Sequence, residues 1–103
     1  MLTIQAVTPL DDYWVRLRLS NGQEVERGLR DALWGPVFEP LRRDYERFRT
    51  VRVRWGTIVW GRDLDIDPET LIWGGPPPRD AAALPVARLE LGRQAGDEPI
   101  VQL

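Results

Sequence analysis

The chain contains no cysteine, no histidine and no lysine among its 103 residues, and its only serine is Ser20. Without cysteine there is no disulfide framework and no thiolate metal site, and without histidine the commonest general base is missing. The metal ligands that remain are carboxylates, which suit hard cations such as calcium or magnesium and make zinc a poor fit. Long apolar runs are also missing: nothing approaches the roughly 20 residues that span a bilayer. The N-terminal stretch MLTIQAVTPLDD lacks a basic segment followed by an apolar one. The expectation is a cytoplasmic protein with no membrane partner. An excess of positive charge is absent as well, since the formal net charge is -2, which argues against a general polyanion binder.

What is present is enough for one core. A chain of 103 residues with 43% hydrophobic content and five tryptophans can bury roughly 65% of its unfolded surface as a single domain. Thr3 to Val7 alternates weakly and runs into Pro9 and Asp11-Asp12, which reads as a short strand entering a turn. Tyr13 to Leu19 alternates strictly, with Val15, Leu17 and Leu19 on one face and Arg16 and Arg18 on the other. Asn21-Gly22 then marks a hairpin, and parity chooses its register. A two-residue turn would set Leu19 against Glu24 and Arg18 against Val25. A three-residue loop with Gly22 left-handed instead pairs Leu17 with Val25, Arg18 with Glu24 and Arg16 with Glu26. The second register keeps like with like and is expected.

After Gly28 the spacing changes. Leu29, Leu33, Val37, Leu41 and Tyr45 recur every four residues, broken by Gly35-Pro36 and Pro40, which predicts a helical turn after Asp31 and a short helix from Val37 to Tyr45 covering the sheet. Phe48 to Val53 alternates again. A tight turn at Trp55-Gly56 would pair Val53 with Ile58 and Val51 with Trp60, placing Arg52, Arg54, Thr57 and Val59 outside. Asp67-Pro68-Glu69-Thr70 has an acidic N-cap, a proline at the first helical position and a second acid in the first turn, the signature of a helix start. Gly74-Gly75-Pro76-Pro77-Pro78 is a stiff linker. The organisation expected is a compact domain over residues 1–73, a linker over 74–78 and a tail over 79–103, flexible or docked. Within that tail Leu84 to Leu91 and Ile100 to Leu103 carry enough apolar residues to add a strand or helix.

The order of these segments, with Leu17, Asn21-Gly22, Leu41, Phe48, Val51, Val53, Trp60-Gly61, Asp63-Leu64 and Asp67-Pro68-Glu69-Leu71, resembles a family of small bacterial domains of unknown function numbered twenty-four forty-two, over about residues 1–73. The resemblance implies a small α+β domain. Because members are often encoded beside another short reading frame, it also implies a role in toxin–antitoxin-like pairs. Some members resemble fusions to a C-terminal helix-turn-helix, whereas Arg79 to Leu103 here offers no pair of cappable helices. The resemblance brings no catalytic residues with it.

Asp63, Asp65, Asp67 and Glu69 alternate like the start of a calcium loop, but Pro68 stands where the sharp-turn glycine belongs and Gly74 where the bidentate glutamate belongs. Solvated acids flanking buried Leu64 and Ile66, followed by the Asp67 cap, explain the pattern without a metal. The Arg42, Arg43, Arg47, Arg49 run is interrupted by Asp44 and Glu46 and reads as a solvated helix face. Arg16, Arg18, Arg52 and Arg54 could share an open sheet face with Trp14, able to grip an acidic protein or stack single-stranded nucleic acid. The other reading is a solvated face neutralised by Glu24 and Glu26. Trp55 is an exposed turn aromatic of the kind that anchors interfaces, or it folds back onto the sheet or tail. Trp14 and Trp73 share that ambiguity, and Trp60 belongs in the core. The sequence therefore points to an α+β fold with a mostly antiparallel sheet of four or five strands and one or two short helices on one face. Its expected role is a non-enzymatic interaction module with an unknown protein partner, with a candidate face of Trp14, Arg16, Arg18, Arg52, Arg54 and Trp55. The alternative is a nucleic-acid-binding accessory protein. No catalytic, cofactor-binding or metal-binding residues are assigned, and an exposed edge strand would allow a homodimer.

Overall fold

A computed structural model describes residues 1–92. Alternating residues, strictly so in β2, make the first sheet. β1 (Ile4–Pro9), β2 (Trp14–Leu19) and β3 (Glu24–Gly28) are successive antiparallel neighbours. Val15, Leu17 and Leu19 are fully buried while Arg16 and Arg18 face solvent. The β2–β3 hairpin takes the expected register, Leu17 opposite Val25, Arg18 opposite Glu24 and Arg16 opposite Glu26. Gly22 sits at φ 88, where an L side chain would be strained. The Asn21 side chain accepts from the Gln23 amide at 2.9 Å and completes the turn.

The helical region differs from expectation. Instead of one helix from Val37 to Tyr45 there is a 3-10 turn at Pro36–Phe38, then α1 (Glu39–Arg43) and α2 (Tyr45–Phe48). Val37 is 64% exposed, so it does not belong to the apolar stripe, whereas Leu41 and Phe48 are fully buried. Proline and capping chemistry explain the division. Pro40 lies in the first turn of α1, where its missing amide costs nothing, and Asp44 leaves helical geometry to accept from the Glu46 amide as the N-cap of α2. Phe48 therefore ends a helix, and the strand read from Phe48 shrinks to β4 (Arg52–Arg54).

β4, β5 (Thr57–Trp60) and β6 (Leu64–Ile66) form a second, three-stranded antiparallel sheet. Val53 pairs with Ile58 as expected, but Thr57 and Val59 are buried rather than outside. β5 is the central strand with every residue buried, and the Thr57 hydroxyl donates to the Ile66 carbonyl. α3 (Pro68–Trp73) starts as expected, with the Asp67 carboxylate accepting from the Thr70 amide, and ends at Gly74 in the left-handed conformation, φ 78. Residues beyond the Gly/Pro stretch return to the first sheet, where β7 (Arg88–Glu90) pairs parallel with β3. The fold is α+β, and the described residues form seven strands in two mostly antiparallel sheets of four and three, ordered β1-β2-β3-β7 and β4-β5-β6, in place of a single sheet of four or five. Ile100 to Leu103 lie outside the described residues.

An aromatic cluster joins the two sheets. Tyr13, just before β2, meets Tyr45 edge-on at 5.2 Å and Phe48 at 4.8 Å, and Phe48 meets Trp60 of β5 at 5.8 Å. Trp60 is core, and its indole N–H donates to the Phe48 carbonyl at 2.8 Å. Aromatic pairs of this kind add about 1 kcal/mol each beyond the area they bury. No helix among the described residues is long and apolar enough to cross a membrane.

Candidate interaction surfaces

Strand parity puts Trp14, Arg16 and Arg18 on the open face of β2. Arg16 meets Glu26 of β3 at 3.2 Å, and Glu26 in turn faces Arg88 of β7 at 3.9 Å. These exposed pairs are worth at most about 0.5 kcal/mol each, because solvent screens them. Arg88 also lies over the Trp14 indole, its guanidinium carbon 3.7 Å from the ring centroid. Trp14 pairs with Gly28 across the strands, and a Cβ at position 28 would stand 2.8 Å from the indole. The absent side chain is what lets the ring lie flat on β3.

Arg52 and Arg54 are elsewhere. They belong to β4 of the second sheet, so the four arginines do not form one sheet face. Arg52 donates to the Gly61 carbonyl at 2.7 Å. Arg54 stacks on Trp55, 4.1 Å from the ring centroid. Trp55 is 73% exposed and holds a left-handed backbone, φ 54, at the tip of the β4–β5 turn. The next residue, Gly56, accepts from the Ile4 amide at 3.0 Å and so ties the turn to β1. The indole does not fold back. Trp73 is half-buried and lines an apolar groove of about 580 Å³ with Leu2, Ile72 and Leu84.

The residue that the sequence pattern left unremarked is Arg27. It shares the core-facing parity of Val25, and it is fully buried. Its Nε donates to the Leu71 carbonyl at 2.6 Å and its Nη2 to the Ile72 carbonyl at 2.9 Å, both at the C-terminal end of α3. Nη1 reaches the Glu26 carbonyl at 2.7 Å, and Nη2 also reaches Val86 of the returning tail at 2.9 Å. The last carbonyls of a helix lack intrahelical donors and carry the negative end of its dipole, so a cation is well placed there without a carboxylate. Burial draws the guanidinium pKa below its ordinary value, although a guanidinium keeps its charge in proteins. The one available signal was parity: an arginine two residues beyond a core valine must be paired if it is buried.

Among the described residues no three acidic side chains converge to hold a metal ion. Asp67 is spent on its helix cap. What the fold defines is a small α+β domain with two Arg–Trp surfaces, one closed by the returning tail and one open. The chain belongs to the family described as protein of unknown function (DUF2442), whose model matches residues 4–77. No curated protein and no solved structure matches it.

Proposed function

We propose that this protein is a non-enzymatic, cytoplasmic interaction module that engages a protein partner through Trp55 and Arg54, as one half of a small toxin–antitoxin-like or regulatory gene pair. Trp55 carries the reading. An indole left mostly in water, on a residue whose left-handed backbone costs about 1 kcal/mol, is doubly unfavourable for folding and well suited to binding. Tryptophan and arginine are the residues that most often dominate interface energetics. Stacking fixes both in one orientation before a partner arrives, which lowers the entropy lost on association. The complementary partner presents an apolar pocket for the indole beside a carboxylate for Arg54.

The test is co-purification from the native cells, after nuclease treatment, of wild-type protein and Trp55→Ala in parallel. One dominant small protein at near-equal stoichiometry, depleted at least about tenfold by the substitution, supports the reading. Equal retention of that protein by both, or no companion at all, removes its basis. Capture that is lost only with nuclease would move the function to nucleic acid held by the arginines of one sheet, Arg16 and Arg18 or Arg52 and Arg54, with an affinity that falls steeply with salt. Reproducible turnover abolished by Asp63→Asn or Asp65→Asn would make the protein an enzyme instead.

A further inference from the structure

We infer that the outer edge of β3 is a docking site for an extended peptide segment of another protein, and that this chain fills the site with its own residues Pro85–Leu91. The inference does not depend on Trp55.

The occupant shows how the site works. Gln23 Nε2 donates to the Pro85 carbonyl at 2.7 Å, Arg27 Nη2 to the Val86 carbonyl at 2.9 Å and the Glu26 amide to the Ala87 carbonyl at 2.7 Å. At the far end the Leu91 amide donates to the Gly28 carbonyl at 2.8 Å. Side chains then alternate: Leu89 and Leu91 turn into the core cluster, while Arg88 turns out over Trp14 and toward Glu26. Main-chain bonds that supply affinity and pockets for alternate side chains that supply selectivity are the working parts of recognition by strand addition.

Three observations separate this segment from an ordinary strand of the domain. It lies beyond the matched family span of residues 4–77, past the Gly/Pro linker. It makes the one parallel pairing among the described strands, and that pairing is three residues long. The chain leading into it is mostly exposed from Arg79 to Ala82 and again at Leu84. The receiving parts, by contrast, all belong to the matched span: Trp14, Gln23, Glu26, Arg27, Gly28 and Gly74. The two glycines shape it, since a Cβ at position 28 would strike the Trp14 ring and one at position 74 would stand 2.8 Å from Leu89 Cδ2. Arg27 is held by α3, so its remaining N–H stays aimed at whichever carbonyl arrives. The partner segment that fits carries an arginine or lysine over Trp14 and Glu26, with apolar residues one and three positions later.

A tether of about a dozen residues holds the tail at an effective concentration in the millimolar range, so an outside segment binds appreciably only when the tail is cut or withdrawn. The experiment uses the full chain, with a protease recognition sequence inserted between Pro78 and Arg79 and cleaved after folding, and a fluorescent peptide spanning Arg79–Gly92 as the probe. Anisotropy should show the cleaved protein binding the probe about a hundredfold more tightly than the intact protein. Unlabelled tail should compete, while peptides carrying Leu89→Asp or Arg88→Glu should bind at least about tenfold more weakly. Equal binding by cut and intact chains would overturn the inference. So would a cut tail that never exchanges, or loss of far-ultraviolet circular dichroism when it leaves, because residues 85–91 would then be core rather than ligand. A concentration-dependent dimer of intact chains that exchange tails would overturn the assignment to a separate partner.

Discussion

Arg88 over Trp14 and Arg54 over Trp55 are the same contact chemically, at 3.7 and 4.1 Å, yet they sit in opposite settings. The first lies where the tail crosses β3, with Gly28 beneath the indole and Glu26 beside the guanidinium. Beside it the tail covers the edge of β3, and Arg27 of β3 ties the end of α3 and the returning tail to one buried group. The second stands on a two-residue turn tied to the body through Gly56 and Ile4, with the indole in water. A cation over an indole contributes about 0.5–1 kcal/mol when exposed and more when desolvated, so the contact alone cannot tell a joint from a binding surface. The neighbours decide: closed surroundings convert the stack into stability for as long as the tail stays in place, and open surroundings leave it available from the start.

That contrast can be broken at its closed end first. Arg27→Ala should cost about 3 kcal/mol, read as a lower urea midpoint, because the Leu71, Ile72 and Val86 carbonyls lose their donor in a dry site. The same substitution should make the Gly74–Ala87 region more sensitive to protease. Arg27→Lys should recover less than half of the loss, since an ammonium on a flexible stem lacks the fork that spans the end of α3 and the tail. Gly74→Ala should cost about 2 kcal/mol, combining a strained left-handed backbone with the collision against Leu89, and lower the melting temperature by roughly 10 °C. Asp67→Ala tests the other end of α3 and should cost about 1 kcal/mol through loss of the N-cap. At the open end, Trp55→Ala should change the urea midpoint by no more than about 0.5 kcal/mol while abolishing partner capture. A large loss of stability there would mean that Trp55 belongs to the fold, and the two stacks would no longer differ in kind.

The features legible in the sequence were those decided by near neighbours. Leu17 against Val25 followed from parity across Asn21-Gly22, and the Asp67 cap from four consecutive residues. Trp60 followed from its place opposite the hydrophobic side of β4. Where proline chemistry competed with spacing, spacing misled. Val37 matched the four-residue period yet stands in solvent, because Pro36 and Pro40 set up a 3-10 turn before α1 begins. Thr57 and Val59 were read as outer residues because a hairpin shows only two strands, whereas the arrival of β6 makes β5 central. Arg27 had a parity signal but no visible partner, since the carbonyls it serves are 44, 45 and 59 residues away. Of the candidate face, Trp14, Arg16 and Arg18 lie on β2, and Arg52 and Arg54 on β4. Their division between two sheets was not visible.

By itself the sequence determined the alternation of the strands, the turn between β2 and β3, the start of α3 and the narrow range of chemistry open to a chain without cysteine, histidine or lysine. Those follow from side-chain parity, backbone preference and functional groups, which act over a few residues. Only the tertiary structure decided that the strands divide into two sheets, that the tail returns to β3 and that Arg27 is buried beneath it. Main-chain hydrogen bonds look alike whichever strands make them, so the choice of neighbour depends on how distant surfaces fit together.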